Sequence, residues 1–93
     1  MYQARAGEED AIVALHEDWQ RTLRPTAEGY LSGELLRNVG NAHEFFSIMR
    51  FESQQAAEAL ASDPEQDVWY RRLVSLTEGR AVMTRYTCEW SSH

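Results

Sequence analysis

The sequence predicts an α+β domain: a four-stranded antiparallel sheet with helices on one face, in the order β-α-β-β-α-α-β. Three observations predict it. Apolar residues recur at helical spacing between Ile12 and Leu23. Two β-rich runs, 30–39 and 45–51, follow as a hairpin. Two helix-start signals, at Ser53 and at Asp63-Pro64, then lead to a last β-branched and aromatic run, 80–90. This is the split βαβ pattern with its second crossover helix broken at Asp63-Pro64.

Each element has a local reason. "MYQARA" is short, partly alternating and compatible with a strand. Gly7 and "EED" follow, placing acids where a helix N-terminus favours negative charge. Ile12, Leu15, His16, Trp19 and Leu23 recur at steps of three and four, which puts them on one helix face. Arg21 and Arg24 suit the C-terminal end of that helix, and Pro25 stops it. "TAEG" is a loop. "YLSGELLRNV" and "FFSIMRF" flank the turn signal "GNAH", with Asn38 and Asn41 as turn residues.

Ser53 is placed to cap a helix over 54–61, its hydroxyl accepting from the backbone N–H groups of the first turn. "SDPEQ" repeats the device. Asp63 is the cap, Pro64 fits the first helical position, and Gln66 is positioned to complete a capping box. A helix over 65–77 follows, with Trp69, Leu73 and Leu76 on one face and Gly79 just past its end. The run "RAVMTRYTCEW" makes the last strand.

Composition bounds the function. The 93 residues make one domain, 1–93, with no internal repeat or linker. A chain this short buries only about 60–70% of its unfolded surface. The net charge is −6, which disfavours phosphate backbones and anionic lipid, so neither nucleic acid nor membrane is expected as a partner. All 9 basic residues are arginine. Lysine Schiff-base chemistry and a P-loop are therefore excluded. Cys88 is the single cysteine, so no internal disulfide forms and a reducing compartment is expected. No run approaches the ~20 apolar residues of a membrane span. "MYQARAGEED" lacks the order of a signal peptide, so a cytoplasmic location is expected.

Both faces of the predicted sheet are apolar. Phe45, Met49 and Phe51 fall on one side of their strand, Phe46 and Ile48 on the other. Val82, Tyr86 and Trp90 oppose Ala81 and Met83. A face left in water alternates cleanly with polar residues. Each large side chain gains about 1.5–3 kcal/mol from burial. A second copy is expected to cover the uncovered face, giving a two-fold homodimer.

No metal or nucleotide motif is complete. "HEDWQ" has Gln20, and "HEFFS" has Ser47, where a zinc-binding helix needs its second histidine. "YLSGE" is not a nucleophile elbow, and no Gly-rich nucleotide loop is present. No metal and no cofactor is expected.

Three stretches, "EGYLSGELLRN" (28–38), "FFSIMRFES" (45–53) and "AAEALASDPE" (56–65), resemble the antibiotic-biosynthesis-monooxygenase-like domains of the dimeric α/β-barrel group. Members read Gly-aromatic, a strand ending Leu-Leu-Arg, a strand closing on Trp-Glu-Ser, and an Ala-rich helix. Phe51 stands where the family usually has Trp. It keeps an aromatic ring and loses an indole donor. The resemblance implies a homodimer of ferredoxin-like subunits with a pocket between each sheet and its own helices. Some members oxidise aromatic polyketides or quinols with O₂ and no cofactor. The haem-degrading branch fits poorly: "MYQARA" has no Asn, 54–61 no Trp, and 65–77 no His.

On that resemblance the expected activity is a cofactor-independent monooxygenase acting on a small aromatic substrate of quinol or polyketide type. His16 is the expected base, Arg85 or Tyr70 the oxyanion donor, and Trp69, Phe51 and Tyr86 the substrate wall. Each residue also has a structural reading. His16 is then a packed, hydrogen-bonded side chain, Trp69 core, and Tyr70 a phenol at the core rim. Arg85 is then in a cross-strand ion pair with Glu34, Glu52 or Glu89. In the functional reading Arg85 and Tyr86 point to opposite faces of the last strand, one into the pocket and the other into the dimer interface. A non-catalytic binding or regulatory homodimer is the alternative function, with a proton-transfer isomerase or cyclase behind it.

Overall fold

Two long strands and two short ones make a single sheet. The computed structural model describes residues 1–79 and 83–90. Its elements are β1 (Tyr2–Ala4), α1 (Glu9–Thr22), β2 (Tyr30–Asn38), β3 (Asn41–Phe51), α2 (Gln54–Ala61), α3 (Pro64–Ser75) and β4 (Thr77–Glu78). The strand order is β2-β3-β1-β4 and every pairing is antiparallel. Each crossover therefore skips one strand, α1 over β3 and the α2–α3 pair over β1. This is the ferredoxin-like α+β order that the sequence predicts. Among the described residues, no helix is long and apolar enough to cross a membrane.

The helix signals act as their chemistry suggests. Ser53 Oγ accepts from the Ala56 N–H at 3.1 Å and opens α2. Asp63 Oδ1 accepts from the Glu65 N–H at 2.8 Å, with Pro64 at the first position of α3. Ile12, Leu15 and Trp19 are the buried stripe of α1. They meet Tyr2, Ala4 and Phe45 of the sheet and Leu60, Trp69 and Leu73 of the other helices in one core. Trp19, Phe45 and Ile12 are fully buried, each worth about 1.5–3 kcal/mol.

Four local expectations are corrected. The hairpin turn is tighter than "GNAH": Asn38 and Asn41 already pair across it, so β3 begins at Asn41. Asn38 Oδ1 accepts from the Gly40 N–H at 2.7 Å, which lets two residues reverse the chain. Gln66 does not close a capping box. Its Oε1 accepts from Trp19 Nε1–H at 2.7 Å instead, because a buried indole N–H needs an acceptor more than a solvated helix end does. Helix α3 stops at Ser75 rather than running through Thr77, which is buried and pairs with Ala4.

The last strand is the fourth correction. The sheet's edge is Thr77–Glu78, and Gly79 follows it at φ 71°. Of the predicted strand 80–90, positions 80–82 lie outside the described residues. Residues 83–90 are exposed and carry no strand. Strand propensity becomes a strand only against a partner ladder, and no strand among the described residues pairs with 83–90.

Strand alternation sends Phe45, Ser47, Met49 and Phe51 toward the helices and Phe46 and Ile48 to the open face. Leu36 and Phe46 sit directly opposite each other across the β2–β3 ladder and are 44% and 41% exposed. The salt bridge Arg50–Glu34, at 3.3 Å, borders them.

Candidate ligand-binding hollow

A hollow of about 260 Å³ lies between α1 and the β2–β3 hairpin. Its walls include Trp19 and Trp69, Leu35, Met49, and the polar groups His16 and Gln20. It lies between the sheet and the chain's own helices, where the sequence resemblance puts a pocket.

His16 is on the buried stripe of α1, half covered. Its Nδ1 lies 2.8 Å from the Ile12 carbonyl, an acceptor only, so Nδ1 carries the proton. The lone pair is then on Nε2, 2.7 Å from the Tyr2 hydroxyl, which donates to it. Burial pushes the His16 pKa down, partly offset by the Ile12 hydrogen bond. Burial also pushes the Tyr2 phenol far up. Both partners are neutral near pH 7. Trp69 meets the imidazole edge-on at 5.1 Å, and its Nε1–H donates to the Leu15 carbonyl at 3.0 Å.

Tyr30 forms the other polar corner. A β-bulge between Tyr30 and Ser32 inserts Leu31 into β2. Residues three apart on a strand normally face opposite sides; the extra residue turns Tyr30 and Gly33 to the same side. The Tyr30 hydroxyl then lies over Gly33, where a Cβ would stand 2.2 Å from it. The ring packs against Trp19 at 5.0 Å and Phe51 at 5.8 Å, with the Arg24 guanidinium 5.2 Å from its centroid. Gln20 Nε2 donates to the Tyr30 oxygen at 3.1 Å, and Arg24 Nη1 donates to Gln20 Oε1 at 2.8 Å.

Of the expected site residues, His16 and Trp69 line the hollow. Phe51 backs it through Tyr30. Tyr70 is half-buried against the core and is not among the lining residues. Arg85 is exposed and pairs with Glu58 at 3.5 Å, rather than with Glu34, Glu52 or Glu89. Tyr86 is 83% exposed. Neither lines the hollow, because 83–90 do not enter the sheet. Sequence reasoning missed Tyr2, Gln20 and Tyr30. Only Tyr30 left a trace, as an aromatic three residues before a glycine in one strand.

Residues 1–72 match the family model described as "Antibiotic biosynthesis monooxygenase". The matched span carries every residue of the hollow. No curated protein matches the chain.

Proposed function

The chain belongs to the antibiotic biosynthesis monooxygenase family, and we propose that it is a cofactor-independent monooxygenase acting on a small aromatic substrate of quinol or anthrone type. The observation that carries this reading is a neutral histidine at the edge of a hollow walled by Trp19, Trp69 and Tyr30. Such a site favours a flat, uncharged ring system and one proton transfer.

His16 Nε2 is the base. A substrate hydroxyl or activated methylene reaches that lone pair by displacing the Tyr2 hydroxyl, at a cost of about 1–3 kcal/mol because the hydroxyl of a buried tyrosine loses its acceptor. The substrate carbanion then passes one electron to O₂. The resulting radical pair joins as a hydroperoxide, which eliminates water. For a ring methylene the balance is CH₂ + O₂ → C=O + H₂O, with the substrate supplying all the electrons. Trp69 and Trp19 hold the ring and exclude water. Substrate-dependent oxygen consumption by the pure protein tests the reading.

One observation favours a second reading, a binder without turnover: both ring nitrogens of His16 are already bonded. Ligand-induced thermal stabilisation without oxygen consumption identifies that case.

The active form in this proposal is a homodimer. The exposed Leu36–Phe46 pair on the open sheet face supports it, as do Met83, Tyr86 and Trp90, all exposed in a single copy.

A further inference from the structure

We propose that the Tyr30 hydroxyl is the group that reads the substrate, donating a hydrogen bond to a carbonyl or phenolate oxygen at the Gly33 end of the hollow. The inference rests on the reading of the hollow as a ligand site and adds which atom of the ligand is recognised.

The direction of the hydrogen-bond chain leaves no choice. An arginine only donates, so the Gln20 atom facing Arg24 is its carbonyl oxygen. The other end of the amide is then NH₂, which only donates, so the Tyr30 oxygen is the acceptor. The phenolic proton is spent on no protein acceptor among the described residues. Each bond in such a chain polarises the next, so the last donor is strengthened. Because the chain starts in a donor that cannot reverse, it ends in a donor. A ligand carbonyl or phenolate oxygen is the partner that takes up this free proton.

The strand is built around this hydroxyl. The bulge at Leu31 brings Tyr30 over Gly33, and any larger residue at 33 would drive the hydroxyl away. Trp19 and Phe51 grip the ring on two sides, so its position is fixed before a ligand arrives.

Anthrone and 9,10-dihydroanthracene share a ring skeleton and differ by one carbonyl oxygen. Their affinities are measured in oxygen-free buffer by tryptophan fluorescence, for the wild type, Tyr30→Phe, Gln20→Ala and Gly33→Ala. Thermal melts confirm that each variant is folded. The wild type is expected to prefer the ketone. Tyr30→Phe should weaken the ketone about three- to tenfold and leave the hydrocarbon unchanged. Gln20→Ala should do so about twofold, and Gly33→Ala should imitate Tyr30→Phe. If Tyr30→Phe changes both ligands equally, or neither, the role of Tyr30 is overturned while the hollow stands as a binding site. If the wild type binds neither ligand, the hollow reading falls and this inference falls with it.

Discussion

The Tyr2 hydroxyl donates to His16 Nε2 across 2.7 Å, tying the central strand β1 to α1 and occupying the imidazole's lone pair. Replacing Tyr2 by Phe removes the donor to that part-buried nitrogen. We expect a loss of about 1 kcal/mol, read as a melting point lower by about 4–8 °C. The lost bond stabilised the neutral ring, so His16 should also protonate at higher pH in Tyr2→Phe. Nuclear magnetic resonance titration of the imidazole checks both the tautomer and the direction.

The same histidine sets a pH dependence. Its folded pKa lies below the ordinary 6.5 because burial penalises the cation. The unfolded chain therefore binds a proton first as pH falls from about 6.5, and stability drops until the folded ring also protonates. Above 6.5 this contribution is level. His16→Gln should flatten the drop just below 6.5 in a denaturant series. Glu9 acts lower. Its own backbone N–H is the main reason its carboxyl lies below 4.5, with His43 assisting, so its contribution is lost only as pH falls further.

Much of this fold is legible because its signals are local. Ser53 and Asp63 cap the helices they precede, and the 12–15–19 stripe needs only helical spacing. What was not legible depends on distant partners. Gln66 resembles a capping residue until Trp19, 47 positions away, claims its oxygen. Residues 83–90 are β-branched and aromatic by type, yet they form no strand, and the edge that β1 offers is taken by Thr77–Glu78. The Tyr2–His16 bond depends on sheet register, and the Tyr30–Gly33 approach on a bulge that no residue type announces.

Gly29 delivers Tyr30 to the hollow. Its φ of 78° suits glycine, and a Cβ there would stand 2.5 Å from Ala56 Cβ. Gly29→Ala should therefore cost about 1–3 kcal/mol, from strain and from pressure on α2. Urea unfolding should show a lower midpoint with an unchanged slope.

The open face predicts an assembly. Wild-type protein should sediment at twice the chain mass. Phe46→Glu, which puts a charge opposite the exposed Leu36, should sediment as a folded monomer. A wild-type monomer at micromolar concentration would remove the second copy from the proposal.

The most direct measurement is oxygen consumption with anthrone in an oxygen electrode, comparing wild type with folded His16→Gln. The account predicts one O₂ consumed per anthrone, well above the rate without protein, and a fall of about 10²-fold or more in the variant. No consumption above background, or an equal rate in His16→Gln, would contradict it.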